Sequence, residues 1–185
     1  MSVLPVRARF SLVQDLKLSV AEVIGRPGEY RDVHLAAPVE GVEVALAHLG
    51  PESPIDADLR VESVVEGLLV TGHASARAEL ECARCLKGFP STIRTELCEL
   101  FAASADASED PDAYPIDGTE IDLEPMLRDA LTLALPLNPI CDAACRGLCA
   151  RCGRDLTAGD CSCTDDDVDP RWAELDALRD KLQAG

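Results

Sequence analysis

The chain has 185 residues, of which 47% are hydrophobic, and this content excludes a disordered protein. Aromatic residues make up only 3%, so a core must be built mainly from Leu, Val, Ile and Ala. The 34 acidic and 17 basic side chains give a net charge of −17, which disfavours RNA or DNA binding through the bulk surface and favours a basic partner. The alternative is that the acidity only keeps the protein soluble.

The sequence predicts a cytoplasmic protein. Residues 1–13 contain two arginines and no uninterrupted apolar stretch after them, which is not typical of a secretory signal. No run approaches the roughly 20 apolar residues that a membrane span requires. In the cytoplasm thiols stay reduced, so clustered cysteines are more often metal ligands than disulfides.

The first predicted unit is an antiparallel sheet domain with a packed helix, over residues 1–135. Positions 3–24 mix apolar and charged residues in a way that predicts a strand followed by a short helical segment. The stretch GRPGEYR, at 25–31, is typical of a turn or loop.

Three neighbouring strands are predicted at 59–70, 73–82 and 91–101, with turns near Gly67 to Gly72 and near Gly88 to Pro90. The middle strand alternates cleanly between apolar and polar positions, which is typical of a half-buried strand in an antiparallel sheet. Its predicted buried face consists of Ala74, Ala76, Ala78, Leu80 and Cys82. The same alternation predicts that Cys98 is a small buried residue on the third strand.

A long mobile loop is predicted at 102–120, because this stretch has six acidic residues, no basic ones and two prolines. A helix follows, with Asp122 as N-cap, Pro125 in the first turn and Pro136 as the stop. Its predicted apolar stripe is Met126, Leu127, Ala130, Leu131, Ala134 and Leu135.

The rest of the chain predicts a cysteine-rich zinc-binding module at 136–168 and a C-terminal helix at 169–185. Asp169 caps that helix and Pro170 occupies its first position. Its predicted apolar side is Trp172, Leu175, Leu178 and Leu182. The fold class is therefore α+β: an antiparallel sheet or partial barrel, a packed helix, the zinc module and a last helix.

Six cysteines of the module follow the pattern C-x3-C-x3-C-x2-C-x8-C-x-C. Within it, Cys149-Ala-Arg-Cys152-Gly153 has the form of a zinc knuckle, in which two thiolates converge on one ion and a glycine permits the tight turn. We predict Cys149 and Cys152 as zinc ligands. The other two ligands come from the set Cys141, Cys145, Cys161 and Cys163, in which the confining C-x-C pair supplies both or only one.

The alternatives to structural zinc are redox or disulfide chemistry and an iron–sulfur cluster, whose usual spacings do not match. A zinc ion with four cysteine ligands has no open coordination position. It would therefore organise a fold and not catalyse a reaction.

Cys82 and Cys85 form a second C-x2-C pair at the end of a predicted strand. Thioredoxin-like pairs open a helix, whereas the LKGFP that follows Cys85 is typical of a hairpin turn, so a redox role is disfavoured. With the six cysteines of the module the pair makes eight, enough for two four-thiolate sites if the segments meet in space. The alternative is two reduced thiols on a hairpin.

No catalytic motif is present in the sequence: neither a P-loop, nor a Rossmann fingerprint, nor G-x-S-x-G, nor H-E-x-x-H occurs. The three histidines, His34, His48 and His73, lie far from the cysteine motifs and are predicted to be ordinary. Carboxylates are abundant, but the sequence defines no cleft that would single out an acid and a base. We therefore expect that the protein is not an enzyme.

Three stretches together resemble one family: ELECARCLKGF at 79–89, IDLEPMLRDALTLALPLNPIC at 121–141, and CRGLCARCGRDL at 145–156 followed by CSC. In order and spacing they are similar to the YceD family of large ribosomal RNA accumulation proteins. The GRPGEYR stretch fits its actinobacterial-looking branch. Thr157 is a departure, since the family commonly has Asn there.

The resemblance implies a role in ribosome biogenesis, through 23S rRNA accumulation or processing and large-subunit assembly, with no catalytic residues to carry over. The family's gene commonly neighbours that of ribosomal protein bL32. Our hypothesis is a non-enzymatic assembly factor that binds a basic ribosomal protein, with bL32 as the candidate, through acidic residues in 106–124 and 165–169. A metal-dependent nuclease acting on precursor rRNA and a thiol redox sensor are the alternatives.

Overall fold

The computed structural model describes residues 11–13, 16–50, 53–103 and 113–163, together with Leu175 and Arg179. The described strands are β1 Ser11–Val13, β2 Lys17–Ser19, β3 Tyr30–Pro38, β4 Glu43–Val44, β5 Ala47–Leu49, β6 Pro54–Val64, β7 Gly67–Glu81, β8 Gly88–Ala103, β9 Tyr114–Asp117 and β10 Glu120–Asp122. Helix α1 spans Glu124–Ala134.

All ten described strands belong to one curled sheet that forms a half-barrel. Its order is β1-β3-β6-β7-β8-β9-β10-β2, while β5 pairs with the far end of β7 and with β4. The pairs are antiparallel except β1 with β3 and β8 with β9. Among the described residues strands dominate and the helical part is small; this is the predicted partial barrel with a packed helix.

The alternation predicted for residues 73–82 is confirmed. Its alternate residues from Ala74 to Cys82 are all buried. Those from Ala74 to Leu80 belong to a strand that starts earlier than expected, at Gly67, and ends at Glu81, just before Cys82. This strand forms a long hairpin with β8 in which Leu68 lies opposite Phe101 and Glu81 opposite Gly88. The turn that closes this hairpin directly follows Cys82 and includes Cys85, so both cysteines lie at the tip of the hairpin.

The turns predicted at Gly67 to Gly72 and at Gly88 to Pro90 are wrong, because these residues lie within β7 and β8. The chain turns instead at residues 65–66 and 83–85. A side chain at Gly67 or Gly72 would place its Cβ 2.1 Å from a carbonyl oxygen of a paired strand. Both glycines therefore permit a close approach of backbones inside the sheet.

The prediction for positions 3–24 is wrong where the structure describes them. Two short strands, β1 and β2, replace the predicted strand and helical segment, and residues 21–25 form a turn. Residues 1–10 and 14–15 lie outside the described part. Only the first part of the predicted loop at 25–31 is a turn, since Tyr30 already begins β3.

The acidic stretch 102–120 was expected to be one loop, and this is wrong at both ends. β8 continues to Ala103, and β9 and β10 occupy residues 114–117 and 120–122. The physical reason is that Ile116 and Ile121 alternate with the charged positions and are buried in the core. Residues 104–112 lie outside the described part.

Helix α1 packs its predicted apolar stripe against β7 and β8, with Met126, Leu127 and Leu131 fully buried. Its N-cap residue is Leu123 and not Asp122. The Asp122 carboxylate nevertheless accepts a hydrogen bond from the Glu124 N–H at 3.0 Å, so it still satisfies one free donor of the first turn.

Two further predictions concern single positions or the chain end. Cys98 is exposed and not buried, because it lies opposite Thr71 on the polar face of the sheet while Leu97 faces the core. Of the helix predicted at 169–185, the structure describes Leu175 and Arg179, both helical, and the rest lies outside. No helix within the described ranges is long and apolar enough to cross a membrane.

Candidate metal centres

Four cysteines from two distant segments meet at the tip of the β7–β8 hairpin, and we call them the inner cluster: Cys82, Cys85, Cys141 and Cys145. Their sulfur atoms all lie within 4.8 Å of one another. The Sγ atoms of Cys82 and Cys145 are 3.9 Å apart, and those of Cys85 and Cys141 are 3.6 Å apart.

These separations distinguish metal coordination from disulfide bonding. A disulfide has an S–S length of about 2.05 Å. Four sulfurs at about 2.3 Å from one Zn²⁺ ion form a tetrahedron with edges of about 3.8 Å. The spacing within the inner cluster therefore matches a tetrahedral metal site.

The second group, which we call the outer cluster, lies entirely within the C-terminal cysteine stretch: Cys149, Cys152, Cys161 and Cys163. Its four sulfurs also lie within 4.8 Å of one another. Two of its residues are exposed and two are half-buried, whereas three of the four inner cysteines are buried. Each cluster could hold one metal ion.

The structure selects among the groupings that the spacing left open. Cys149 and Cys152 are joined by both residues of the C-x-C pair, Cys161 and Cys163, and not by one of them alone. The remaining cysteines of the stretch join the pair on the β7–β8 turn. The sequence thus correctly counted two four-cysteine groups as an option, and only the fold shows how they divide.

Both C-x2-C turns have the same backbone structure. In each, the residue after the second cysteine donates its N–H to the carbonyl of the first cysteine at 2.9 Å, from Leu86 to Cys82 and from Gly153 to Cys149. This residue is in the left-handed region in both turns, with φ of 58° at Leu86 and 69° at Gly153. The Cys82–Cys85 pair lacks the glycine that marked the Cys149–Cys152 pair as a knuckle in the sequence, because a leucine occupies the left-handed position there.

Backbone N–H groups stabilise one thiolate in each cluster. The pKa of Cys82 is lowered to about 6, chiefly by the N–H of Cys141. The pKa of Cys149 is likewise lowered to about 6, chiefly by the N–H of Cys152. A thiolate is the form that binds a metal ion.

Other thiols of the same clusters resist ionisation. The neighbouring Cys85 thiol raises the pKa of Cys141 to about 12, and the Cys152 thiol raises that of Cys163 to about 12. Four adjacent sulfurs cannot all become negative unless a cation offsets their repulsion. The electrostatics of both clusters therefore suit a divalent ion.

Direct hydrogen bonds fasten the module to the hairpin around the inner cluster. Ala83 donates its N–H to the Pro139 carbonyl at 2.8 Å, and Leu148 donates to the Arg84 carbonyl at 3.1 Å. The Arg84 guanidinium in turn donates to the Cys145 carbonyl at 2.8 Å. The two halves of the inner cluster are thus held together by backbone as well as by sulfur.

Thr157, which stands where the family commonly has Asn, forms hydrogen bonds within the cysteine-rich module. Its hydroxyl accepts the Arg146 N–H at 3.0 Å and lies 3.9 Å from the Cys145 sulfur. Its own N–H donates to the Asp155 carboxylate at 2.9 Å, and Lys87 of the hairpin pairs with the same carboxylate. The threonine therefore links Asp155, in the loop between Cys152 and Cys161, to Arg146 and to the sulfur of Cys145 in the inner cluster.

A polar group that sequence analysis missed lies on the solvent-facing side of the sheet, away from the core. His34, Asp56 and Asp58 bring their ligand atoms within 4.8 Å of one another, although each was ordinary in the sequence. No local signal could reveal this group, because it depends on the pairing of β3 with β6.

Comparison with known proteins agrees with the sequence resemblance. A family model described as "Large ribosomal RNA subunit accumulation protein YceD" matches residues 70–179. An uncharacterized protein of Mycobacterium tuberculosis is 36% identical over 175 residues, covering 91% of this chain and 83% of its own. One of Mycobacterium leprae is 40% identical over 140 residues, covering 73% of this chain and 63% of its own.

A chloroplast relative is similar over a shorter region. The "Large ribosomal RNA subunit accumulation protein YCED homolog 1" of Arabidopsis thaliana is 35% identical over 75 residues, which cover 40% of this chain and 23% of that protein. No solved structure matches the chain.

Proposed function

The chain belongs to the YceD family, and from this membership we propose that it is a non-enzymatic ribosome biogenesis factor that supports 23S rRNA accumulation and large-subunit assembly. The description of the family and the name of the Arabidopsis relative both refer to accumulation of the large ribosomal RNA subunit. The proposed place of action is the cytoplasm, where these subunits are assembled.

In this proposal the inner and outer clusters each hold one structural Zn²⁺ ion. The observation that carries it is the convergence of eight cysteines into two groups of four, each with its sulfur atoms within 4.8 Å of one another. Four thiolates fill the coordination shell of zinc, so neither ion has a position for substrate. Zinc then serves to hold the C-terminal segment on the sheet.

The proposed partner is a basic ribosomal protein, with bL32 as the candidate. The net charge of −17 favours it, and Asp117 and Glu120 are exposed beside the β9–β10 turn, within the acidic stretch 106–124. The other candidate stretch, 165–169, lies outside the described residues.

Basic side chains near the clusters are engaged within the protein, which speaks against a phosphate-binding surface there. Arg146 pairs with Asp160 at 2.7 Å, and Lys87 pairs with Asp155. These contacts neutralise local charge, so RNA phosphates would have to compete for the same cations.

A binding experiment tests the partner. The full chain, purified with zinc and immobilised, should retain a basic ribosomal protein from a ribosomal extract at moderate salt. Neutralising Asp117→Asn with Glu120→Gln should weaken retention about fivefold, because it removes two exposed charges. The matched control, Glu79→Gln with Glu81→Gln on β7, removes the same charge from another exposed site and should retain the partner. Recovery of naked rRNA alone would contradict the proposal.

An activity experiment tests the non-enzymatic part. Precursor rRNA incubated with the zinc-loaded protein and Mg²⁺ should stay intact. Reproducible cleavage at a defined site would favour the nuclease alternative instead. Loss of zinc with reversible disulfide formation under mild oxidation would favour the redox sensor.

A further inference from the structure

Three neighbouring strands align ionisable side chains in one row on the polar face of the sheet. His34 of β3 lies directly opposite Asp58 of β6, and Asp58 lies directly opposite His73 of β7. Asp56 is two residues along β6 and therefore projects from the same face. Opposite residues on paired strands have Cβ atoms about 5 Å apart, so these side chains can converge.

The side chains do converge, with Asp58 between the two histidines. His34 Nδ1 lies 2.8 Å from one Asp58 oxygen, and His73 Nε2 lies 3.4 Å from the other. His34 Nε2 is 3.6 Å from an Asp56 oxygen. The His34 side chain is only 29% exposed and that of Asp58 37%, so the centre of the group is partly shielded from water.

The geometry points to a divalent metal site formed by His34, Asp56 and Asp58, distinct from both cysteine clusters. One ligand atom from each residue lies within 4.8 Å of the other two. Metal–ligand bonds of about 2.1 Å place neighbouring ligand atoms roughly 3.0 to 3.4 Å apart. His34 Nδ1 lies 2.8 Å from an Asp58 oxygen, close to this range. The 3.6 Å separation to Asp56 starts from the other ring nitrogen, Nε2, so an ion bound at Nδ1 requires the Asp56 side chain to rotate toward it.

The charges around the group also favour a cation. Within the described part of the chain, Asp56 and Asp58 have ion pairs only with histidine rings. Arg60, the next basic residue along β6, forms a bidentate salt bridge with Asp32, in which Nε and Nη2 donate to the two carboxylate oxygens at 2.8 and 3.1 Å. Neither Asp56 nor Asp58 therefore forms an ion pair with an arginine or lysine of the described residues. A bound cation would offset the repulsion between the two carboxylates.

The donor set defines the class of ion. One imidazole and two carboxylates suit first-row divalent ions such as Mn²⁺ and Zn²⁺, whereas thiolates select zinc over manganese. His73 would hold the Asp58 carboxylate in place from the far side, as outer partners of metal ligands do. Asp56 and His73 also line an open cavity of about 620 Å³ that contains Arg94.

A manganese titration of the full chain, loaded with two zinc ions in the cysteine clusters and dialysed free of excess zinc, tests the site. Saturated cysteine clusters leave Mn²⁺ little to displace, and its paramagnetism reports its position through broadening of NMR signals. We expect saturable binding of one Mn²⁺ per chain, with broadening centred on residues 34, 56, 58 and 73. Asp58→Asn with His34→Gln should weaken the affinity at least about tenfold.

Two further variants keep this test decisive. Asp56→Asn alters a side chain that is 63% exposed, so it should weaken Mn²⁺ binding without disturbing the fold. His48→Gln, which changes the histidine outside the group, should leave both Mn²⁺ affinity and zinc content unchanged. Equal affinity in all these variants, or broadening spread over the acidic surface, would overturn the proposal and leave only a histidine–aspartate hydrogen-bond network.

Discussion

The inner and outer clusters are built on the same C-x2-C turn, yet they join very different parts of the chain. The inner cluster connects residues as far as 63 positions apart in sequence, Cys82 and Cys145, and three of its four cysteines are buried. The outer cluster is confined to residues 149–163 and is largely open to solvent.

This difference predicts that the two four-cysteine clusters contribute differently to folding. Closing a long loop removes more freedom from the unfolded chain than closing a short one, so the inner cluster should contribute more to folding. Its burial also ties it to the packing of the hairpin against the C-terminal segment. The outer cluster should order its own loop and leave the sheet unaffected.

The largest expected effect comes from removing one cysteine of each cluster. Cys85→Ser should abolish the inner ion and lower the free energy of unfolding by about 4 kcal/mol or more, because a buried structural metal is lost. Cys161→Ser should abolish the outer ion but lower the stability of the sheet by only about 1 kcal/mol. Native mass spectrometry counts the ions, and urea unfolding followed by circular dichroism measures the stability.

The control for this pair is Cys98→Ser, which changes an exposed cysteine outside both clusters. It should leave metal content and stability unchanged. Equal destabilisation by the inner and outer variants would contradict the division of roles between the two clusters.

An intermediate effect is expected where the module contacts the hairpin. Gly147 has φ of 76°, and a Cβ there would lie 2.9 Å from the Arg84 carbonyl oxygen. Gly147→Ala should therefore cost about 2 to 3 kcal/mol and increase hydrogen exchange at the Leu148 amide, which donates to that carbonyl. Gly25→Ala is the control, because its φ of 69° is similar but nothing lies within 4 Å. An equal cost at both sites would show that contact with Arg84 is irrelevant.

The smallest effect concerns the left-handed residue that the two knuckles share. Gly153→Ala should cost about 1 kcal/mol through the backbone alone, since no atom lies within 4 Å of the added Cβ. Leu86→Gly should do the reverse and stabilise by about 0.5 kcal/mol, because the leucine at φ of 58° is strained and half-exposed. Urea midpoints of the zinc-loaded variants measure both. A destabilised Leu86→Gly protein would mean that the side chain packs usefully against the inner cluster.

Local patterns in the sequence determined the elements whose signals lie within one segment. The alternation of residues 74–82 fixed the buried face of β7, since strand periodicity is two. Pro125 and the apolar stripe fixed α1, and the Cys149 to Cys152 spacing fixed a knuckle. The family resemblance likewise rested on motifs that are contiguous in sequence.

Only the tertiary structure decided which distant segments meet. The division of eight cysteines into inner and outer clusters, and the row from His34 to His73, both depend on strand register and on loops that close across the chain. The glycines of β7 and the strands within 114–122 were misjudged for the same reason. Local periodicity sets which face a residue occupies, whereas the energy of pairing between segments sets its neighbours.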